Sequence, residues 1–429
     1  MKILVICYCY PPDPGPRAYR WSAIARHWAA AGHEVHVISA RKGGAPTRET
    51  LDGVEVHRVG GAISENVRIR LERLRGGGGT AEPSDEGIGS TGFSGWARWL
   101  KLLHDATWQK IYWPESACLW YFPAARKALE LARRIAFDNL ISVSTPFTGH
   151  LVGKRVKGVF PDLHWLVDIG DPFSFGEPPF NNERLHAARN LRSERALFAS
   201  ADAISVTVRS CAEEYARRFP ESAAKIAVIP PLYSAPAPAP EPEEKRGGKA
   251  RLVFTGSLYA AIRNPGCVLE IMAHILPDRP NFELHFYGRV NDCAGIFEAH
   301  RAKLGGQLFV HGPVPRDEAQ AAVAGAHALI NIGNATRFQL PSKLVDYAAS
   351  GKPIVNLVSV PDDAAVGFLE NYPQSLTVVE ETALEARELA RLTTFLDNAE
   401  DFPPDAVSRI LSPYGIDAVT AGYLQSMRA

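Results

Sequence analysis

A lysine, a serine and a carboxylate share one short stretch, QLPSKLVDYAASGKPIV over residues 339–355, held between two chain-breaking turns. Pro341 starts a helix whose first turn carries Ser342 and Lys343, and Gly351 followed by Pro353 ends it before the apolar strand Ile354 to Val358. A helix N-terminus offers unpaired backbone N–H groups and a partial positive charge. Ser342 adds a hydroxyl and Lys343 an ammonium, a set suited to a diphosphate. Asp346, one turn further on, can accept hydrogen bonds from a ribose diol. Each residue alone fits a capped, solvated surface helix equally well; their combination favours a ligand site.

Other chemistry-bearing residues fall at strand ends. VFTGSLYAAIRNP ends a strand at Gly256 and Ser257 and places Arg263 seven residues after that glycine, while HFYGR ends another at Tyr287, Gly288 and Arg289. Ligands of open parallel sheets bind at such carboxyl ends. Earlier in the chain PPDPG supplies Asp13 and Gly15, His150 follows the strand Leu140 to Ser144, and DLHWLVDIGDPF places Asp168 and Asp171 at the end of the next strand. Two carboxylates three residues apart can orient a hydroxyl or raise one another's pKa. Equally, they can cap the following turn. A lone histidine such as His150 also fits a structural position.

The elements that must position these residues alternate. Strand-like runs cover Lys2 to Tyr8, Glu34 to Ser39, Val54 to Val59, Leu140 to Ser144, Trp165 to Asp168, Ala203 to Val208 and Ala227 to Ile229, with helical runs at Ala18 to Ala31 and Arg126 to Phe137. After a Pro-, Gly- and charge-rich linker the rhythm restarts: strands Arg251 to Thr255, Glu283 to Tyr287, Leu308 to His311 and Ala328 to Ile332, helices Cys267 to Ile275 and Arg316 to Ala324. Such alternation predicts α/β architecture with parallel sheets covered by helices on both faces. The 429 residues suffice for two domains, 1–232 and 250–412, joined by the linker 233–249 and followed by a terminal segment, 413–429. The formal charge of zero divides unevenly, with 30 Lys+Arg against 24 Asp+Glu in residues 1–232 and 17 against 23 in the rest.

Six cysteines without a CxxC pair or a zinc spacing read as buried free thiols in a reducing compartment. The short apolar run at the N-terminus stops at two prolines, so neither a cleavable signal nor a membrane span is expected. A cytoplasmic protein follows, working at the inner face of the membrane if the basic and Trp-rich segment described below meets lipid. A nicotinamide site fits poorly, because CYPPDPGPR follows the first strand where GxGxxG would stand. The chain also lacks GxxxxGK[ST] and a metal-holding Asp-x-Asp, so neither a metal nor a tightly held cofactor is expected.

The 339–355 segment resembles the donor-site signature of retaining glycosyltransferases of family four, in the branch reading Pro-Ser-Lys, then an acidic residue and Tyr, then Ala-x-Gly-Lys-Pro. The resemblance implies a GT-B fold, two Rossmann-like domains facing across a cleft, with residues 413–429 as a helix crossing back to the first domain. It implies a nucleoside-diphosphate sugar as donor, bound by Pro341, Ser342, Lys343, Leu344 and Asp346, the last on the ribose. The family's Arg after the strand-ending glycine is Ser257 here, Arg263 stands in for its Lys, and Gly256, Tyr287 and Gly288 line the same edge. The family's glutamate eight residues before the acidic position is Phe338. On the acceptor side the branch commonly has the Pro-Pro-Asp-x-Gly loop, matched by Asp13 and Gly15. It often reads Asp-x-Arg-Asp-Pro-Trp where this chain has Gly170 for the Arg and Phe173 for the Trp. The catalytic candidates are therefore His150, Asp168 and Asp171.

Residues 76–95 are too rich in glycine and polar residues to pack and read as a flexible loop. Beyond them Trp96, Trp99, Leu100 and Leu103 share one helical face, with Arg68, Arg70, Arg73 and Arg75 upstream. That face fits either a packed core helix or an interfacial helix on an anionic membrane, where a polyprenyl-linked acceptor would be met. The expected activity is retaining, hexosyl-type transfer from a nucleoside-diphosphate sugar to a glycan or lipid-linked acceptor, without nucleic acid. The alternatives are a nucleotide-sugar epimerase of the same fold, or a non-catalytic binding partner for which Ser257 and Phe338 are the supporting departures.

Overall fold

The computed structural model describes residues 1–13, 15–42, 44–60, 112–176, 179–233 and 248–428. The 76–95 loop, the Trp96 to Leu103 face with its upstream arginines, and most of the linker lie outside the described residues. The chain divides into two compact units. The first comprises Met1–Val206, Ala212–Val228 and Gly422–Ala429; the second comprises Thr207–Cys211 and Ile229–Ala421.

The first unit is built on an eight-stranded sheet: β1 (Lys2–Ile6), β2 (Glu34–Ala40), β3 (Arg48–Leu51), β4 (Val54–Val59), β5 (Asn139–Val143), β6 (His164–Ile169), β7 (Ala203–Val206) and β8 (Ile226–Val228). Their order is β3-β4-β2-β1-β5-β6-β7-β8, parallel throughout except for β3, which pairs antiparallel with β4. Strands buried on both faces should be continuous apolar runs, and β1, β2 and β5 are buried along nearly their whole length. Ile3 pairs with Val35 on one side and Asn139 on the other, so the chain leaves β1 in both directions and the strand order reverses there. The helix Thr148–Lys157 lies close on this sheet because Gly149 and Gly153 face it. A Cβ on Gly149 would stand 2.8 Å from the Val143 carbonyl oxygen, and one on Gly153 2.8 Å from the Trp165 indole nitrogen.

The second unit has a six-stranded, wholly parallel sheet: β9 (Ala250–Thr255), β10 (Phe282–Tyr287), β11 (Leu308–Gly312), β12 (Ala328–Ile332), β13 (Ile354–Val358) and β14 (Ser375–Val379), ordered β11-β10-β9-β12-β13-β14. Here the order reverses between β9 and β12. Leu252, Phe254, Leu284, Phe286, Ile330 and Leu357 pack one face of the sheet, and Val253, Leu329 and Ile354 pack the other against the helix Ser342–Ala349.

The expected α/β class and most strand positions hold, while several boundaries move. β1 ends at Ile6 and not at Tyr8, and Cys7 is buried while Cys9 is partly exposed where the chain turns out of the sheet. The helix expected over Arg126 to Phe137 runs from Tyr121 to Arg134. Pro123 is tolerated in its first turn, and Ile135 is already extended. The last helix, Ile416–Arg428, begins in the second unit, and its residues from Gly422 belong to the first. Among the described residues no helix is long and apolar enough to cross a membrane.

Candidate functional site

The second unit gathers its candidates at the carboxyl ends of β9, β10 and β12. Gly256 and Gly288 both take positive φ, +122° and +125°. The Gly256 N–H donates to the Tyr287 carbonyl at 2.8 Å and the Gly288 N–H to that of Gly312 at 2.7 Å. A Cβ on Gly288 would fall inside the Gly256 carbonyl. The two loops thus touch through backbone, and only glycine permits both the contact and the conformation. Tyr287 is partly buried, its ring stacked on His311 with centroids 4.1 Å apart.

Above that glycine pair lie two cations. The Lys343 ammonium sits 3.8 Å from the Phe254 ring centroid and 3.4 Å from the Thr255 carbonyl oxygen. Burial and then the neighbouring Arg263 charge push its pKa well below the ordinary range. Arg263 donates through Nε to Asn334 Oδ1 at 2.6 Å and through Nη1 to the Ser257 carbonyl at 3.4 Å. Asn334 is itself held by Gln339 at 2.9 Å. Ser257 therefore serves Arg263 through its backbone. Asn334 and Gln339 were not singled out from the sequence, since neutral amides in a loop carry no pattern. Their one signal is position, just past the end of β12 where the strand order reverses.

On the helix Ser342–Ala349, Pro341 is the N-cap rather than the first helical residue. Ser342 is exposed and Asp346 reaches solvent, while the atoms around Asp346 push its carboxyl up to about 6, opposed by Arg316. Leu344 corrects the expectation. Its side chain is wholly buried in the core and its N–H is taken by the Pro341 carbonyl at 2.9 Å, so it anchors the helix and offers nothing to a ligand. Tyr347, the tyrosine of the signature, assigned no role from the sequence, ties the helix to the end of β9: its hydroxyl accepts the Thr255 N–H at 2.7 Å. Phe338, in the position of the family's glutamate, is buried, with the Arg337 guanidinium 4.9 Å from its ring.

In the first unit the candidates separate. Asp13 accepts the Gly15 N–H at 3.0 Å and pairs with Lys42 at 3.3 Å, so it shapes the turn that starts the helix Pro16–Ala30. Asp171 pairs with Arg17 at 3.3 Å and accepts the Thr145 hydroxyl at 3.0 Å. Asp168 takes a different role from the one expected. It is 1% exposed, and its oxygens accept Trp21 Nε1 at 3.1 Å, the Ser205 hydroxyl at 2.8 Å and the Tyr423 hydroxyl at 2.7 Å. A carboxylate so occupied and so buried holds the last helix to the sheet and does not reach a substrate. His150 is equally interior. Its Nδ1 lies 2.9 Å from the Ser142 hydroxyl, and burial, then Arg17, lower its pKa to about 3, so the ring is neutral and no acid near pH 7. Glu115 fixes that helix start by accepting the Phe147 and Thr148 N–H groups at 3.0 and 3.1 Å.

A doubly wound pair of parallel sheets with polar and cationic groups at the strand ends defines a GT-B-type α/β protein. The family model for the glycosyl transferase 4-like domain matches residues 15–231, and the chain belongs to that family. No curated protein sequence matches it significantly. Among solved structures it is similar to a sucrose-phosphate synthase from Thermosynechococcus elongatus (TM-score 0.66, 13% identity, 100% of this chain and 98% of the other covered). It is likewise similar to an α,α-trehalose 6-phosphate synthase from Burkholderia multivorans (0.63, 11%, 99% and 98%). A third is HepE from Anabaena, solved with UDP and glucose (0.56, 11%, 100% and 99%). At these identities the likeness is one of fold.

Proposed function

We propose that this chain transfers a hexosyl group from a nucleoside-diphosphate sugar to a glycan or polyprenyl-linked acceptor, with retention of configuration. The observation that carries the reading is the convergence of Lys343 and Arg263 on the strand ends at Gly256, with Asp346 one helical turn beyond Lys343. A departing nucleoside diphosphate develops negative charge on its phosphate oxygens, and preorganised cations in a desolvated site offset it without reorganisation. Lys343 and Arg263 supply that charge, Asn334 and Gln339 hold Arg263 in place, and the Ser342 hydroxyl and helix amides add donors. Asp346, ionised above about pH 6, accepts the ribose hydroxyls. Transfer on one face of the sugar, with the leaving phosphate oxygen taking the acceptor proton, needs no protein nucleophile. That fits the interior settings of His150 and Asp168. The reading calls for neither metal nor cofactor, and it places the protein in the cytoplasm where such donors are made.

The test is a thermal-shift screen of the purified chain against UDP, GDP, CDP, dTDP and their common sugars, with NAD as control and EDTA in a parallel series. A ligand that binds only the folded state raises the melting temperature. A rise with one nucleotide family that survives EDTA, and that is lost in Lys343→Ala, is expected. A rise with NAD alone, or none with any nucleotide, overturns the reading.

A further inference from the structure

The first turn of the helix Pro16–Ala30 lays the Arg17 guanidinium directly on Gly170, the residue between the end of β6 and Asp171. A Cβ built on Gly170 would stand 1.8 Å from both Nη1 and Nη2 of Arg17 and 2.1 Å from its Cζ, deep inside their contact distance. Arg17 thus fills the volume that any side chain at position 170 would claim, and the missing side chain is what admits it. Its bond to Asp171 is single and, at 3.3 Å, long for a charge-assisted pair, which closes to about 2.7 to 2.9 Å. Among the described residues no other hydrogen bond takes up the fork, and the Arg17 and Asp171 side chains are about one-fifth exposed, 20% and 19%. Both stand at the carboxyl end of the sheet, near β1 and β5 where the strand order reverses, the place at which open parallel sheets bind ligands. His150, close enough to sense the Arg17 charge, keeps a buried Nε2 with no hydrogen-bond partner among the described residues. Thr145 braces Asp171 from the end of β5.

We propose that Arg17 is the anion-binding residue of the first unit, taking a phosphate group of a substrate, and that Gly170 is glycine in order to let it stand there. A planar guanidinium with unspent donors matches phosphate oxygens two at a time, which a lysine cannot do. That phosphate is the one carried by a lipid-linked acceptor, the donor's diphosphate having its own cations in the second unit. The inference rests on the transferase reading above.

Its test measures the affinity of the full chain for UDP and GDP and, separately, for farnesyl phosphate below its micellar concentration. Arg17→Ala is expected to weaken farnesyl phosphate binding at least tenfold and to leave nucleotide binding unchanged; a loss confined to the nucleotides would overturn the proposal. Gly170→Ala, which keeps Arg17 but expels its head, should reproduce the loss, and the double variant should bind no worse than either single one. Arg17→Ala combined with Gly170→Arg should recover affinity, an outcome that a merely structural role for Arg17 would not give. Should Arg17→Ala fail to fold, Arg17→Lys and Gly170→Ala carry the same comparison. Unchanged affinity in both single variants, losses that multiply in the double variant, or a wild-type chain that binds neither probe would overturn the proposal. Lys343→Ala separates the two readings: if it leaves nucleotide binding intact, the donor-site assignment fails whatever Arg17 does.

Discussion

Lys343 is held over an aromatic ring with its charge resisted by burial and by Arg263. An incoming diphosphate reverses that balance, so binding should draw protons from solution, increasingly as the pH rises. Calorimetry at alkaline pH in Tris and in a buffer of low ionisation heat should give different apparent enthalpies; identical values would sink the idea. Removing the ammonium in Lys343→Ala should cost about 1.5 to 3 kcal/mol of diphosphate affinity, the range for hydrogen bonds to charged groups. Asp346 titrates near 6, and its ionised form is the better acceptor. Nucleotide affinity should therefore fall as the pH drops from 7 to 5, and Asp346→Asn should flatten that profile. Lys343 and Asp346 were legible in the sequence because breakers frame their helix and the two charges combine with Ser342 at its start. Leu344 was misread because it was taken with its polar neighbours, although Leu344, Val345, Tyr347 and Ala348 form the inward stripe of the same helix. Arg17 went unnoticed because its significance lies in a residue 153 positions away that has no side chain.

Among elements, the buried parallel strands were the readable part, since unbroken apolar runs bounded by turns admit few other structures. The edge strand β3 was not, because only half of its side chains are shielded and RETL has no apolar alternation. The glycine contact between the loops after β9 and β10 makes a sharp prediction. Gly288→Ala must move one loop away from the other and adopt a strained φ, so it should lose about 1 to 3 kcal/mol of stability and weaken nucleotide binding. A melting curve with and without UDP measures both. The seat of the last helix makes another. Tyr423 donates to Asp168 at 2.7 Å, accepts Arg20 Nη2 at 3.0 Å, and packs against Trp21 and Trp28 with centroids 5.2 and 6.1 Å away. Tyr423→Phe keeps the ring and removes both bonds, for an expected loss of about 1.5 to 3 kcal/mol in denaturant unfolding. Asp168→Ala should cost more, because Trp21, Ser205 and Tyr423 would all be left without their acceptor.

At the scale of the molecule, two units with separate cores carry opposite charge balances. Scanning calorimetry should resolve two transitions, of which a nucleoside diphosphate raises the one belonging to the second unit; a single transition that shifts as a whole would contradict this. The family match covers residues 15–231, whereas the signature legible by eye lies at 339–355. The first half is defined by its overall pattern and the second by a few charged residues. The chain's final helix ties the two ends of synthesis together. A ribosome delivers Tyr423 to Asp168 only after it has made every residue of the second unit, so the first unit to emerge is the last to be completed. Until then its buried carboxylate lacks one donor and Trp21 and Trp28 lack their aromatic lid. A chain ended before Tyr423 would carry that defect in its earliest-made part, far from the break.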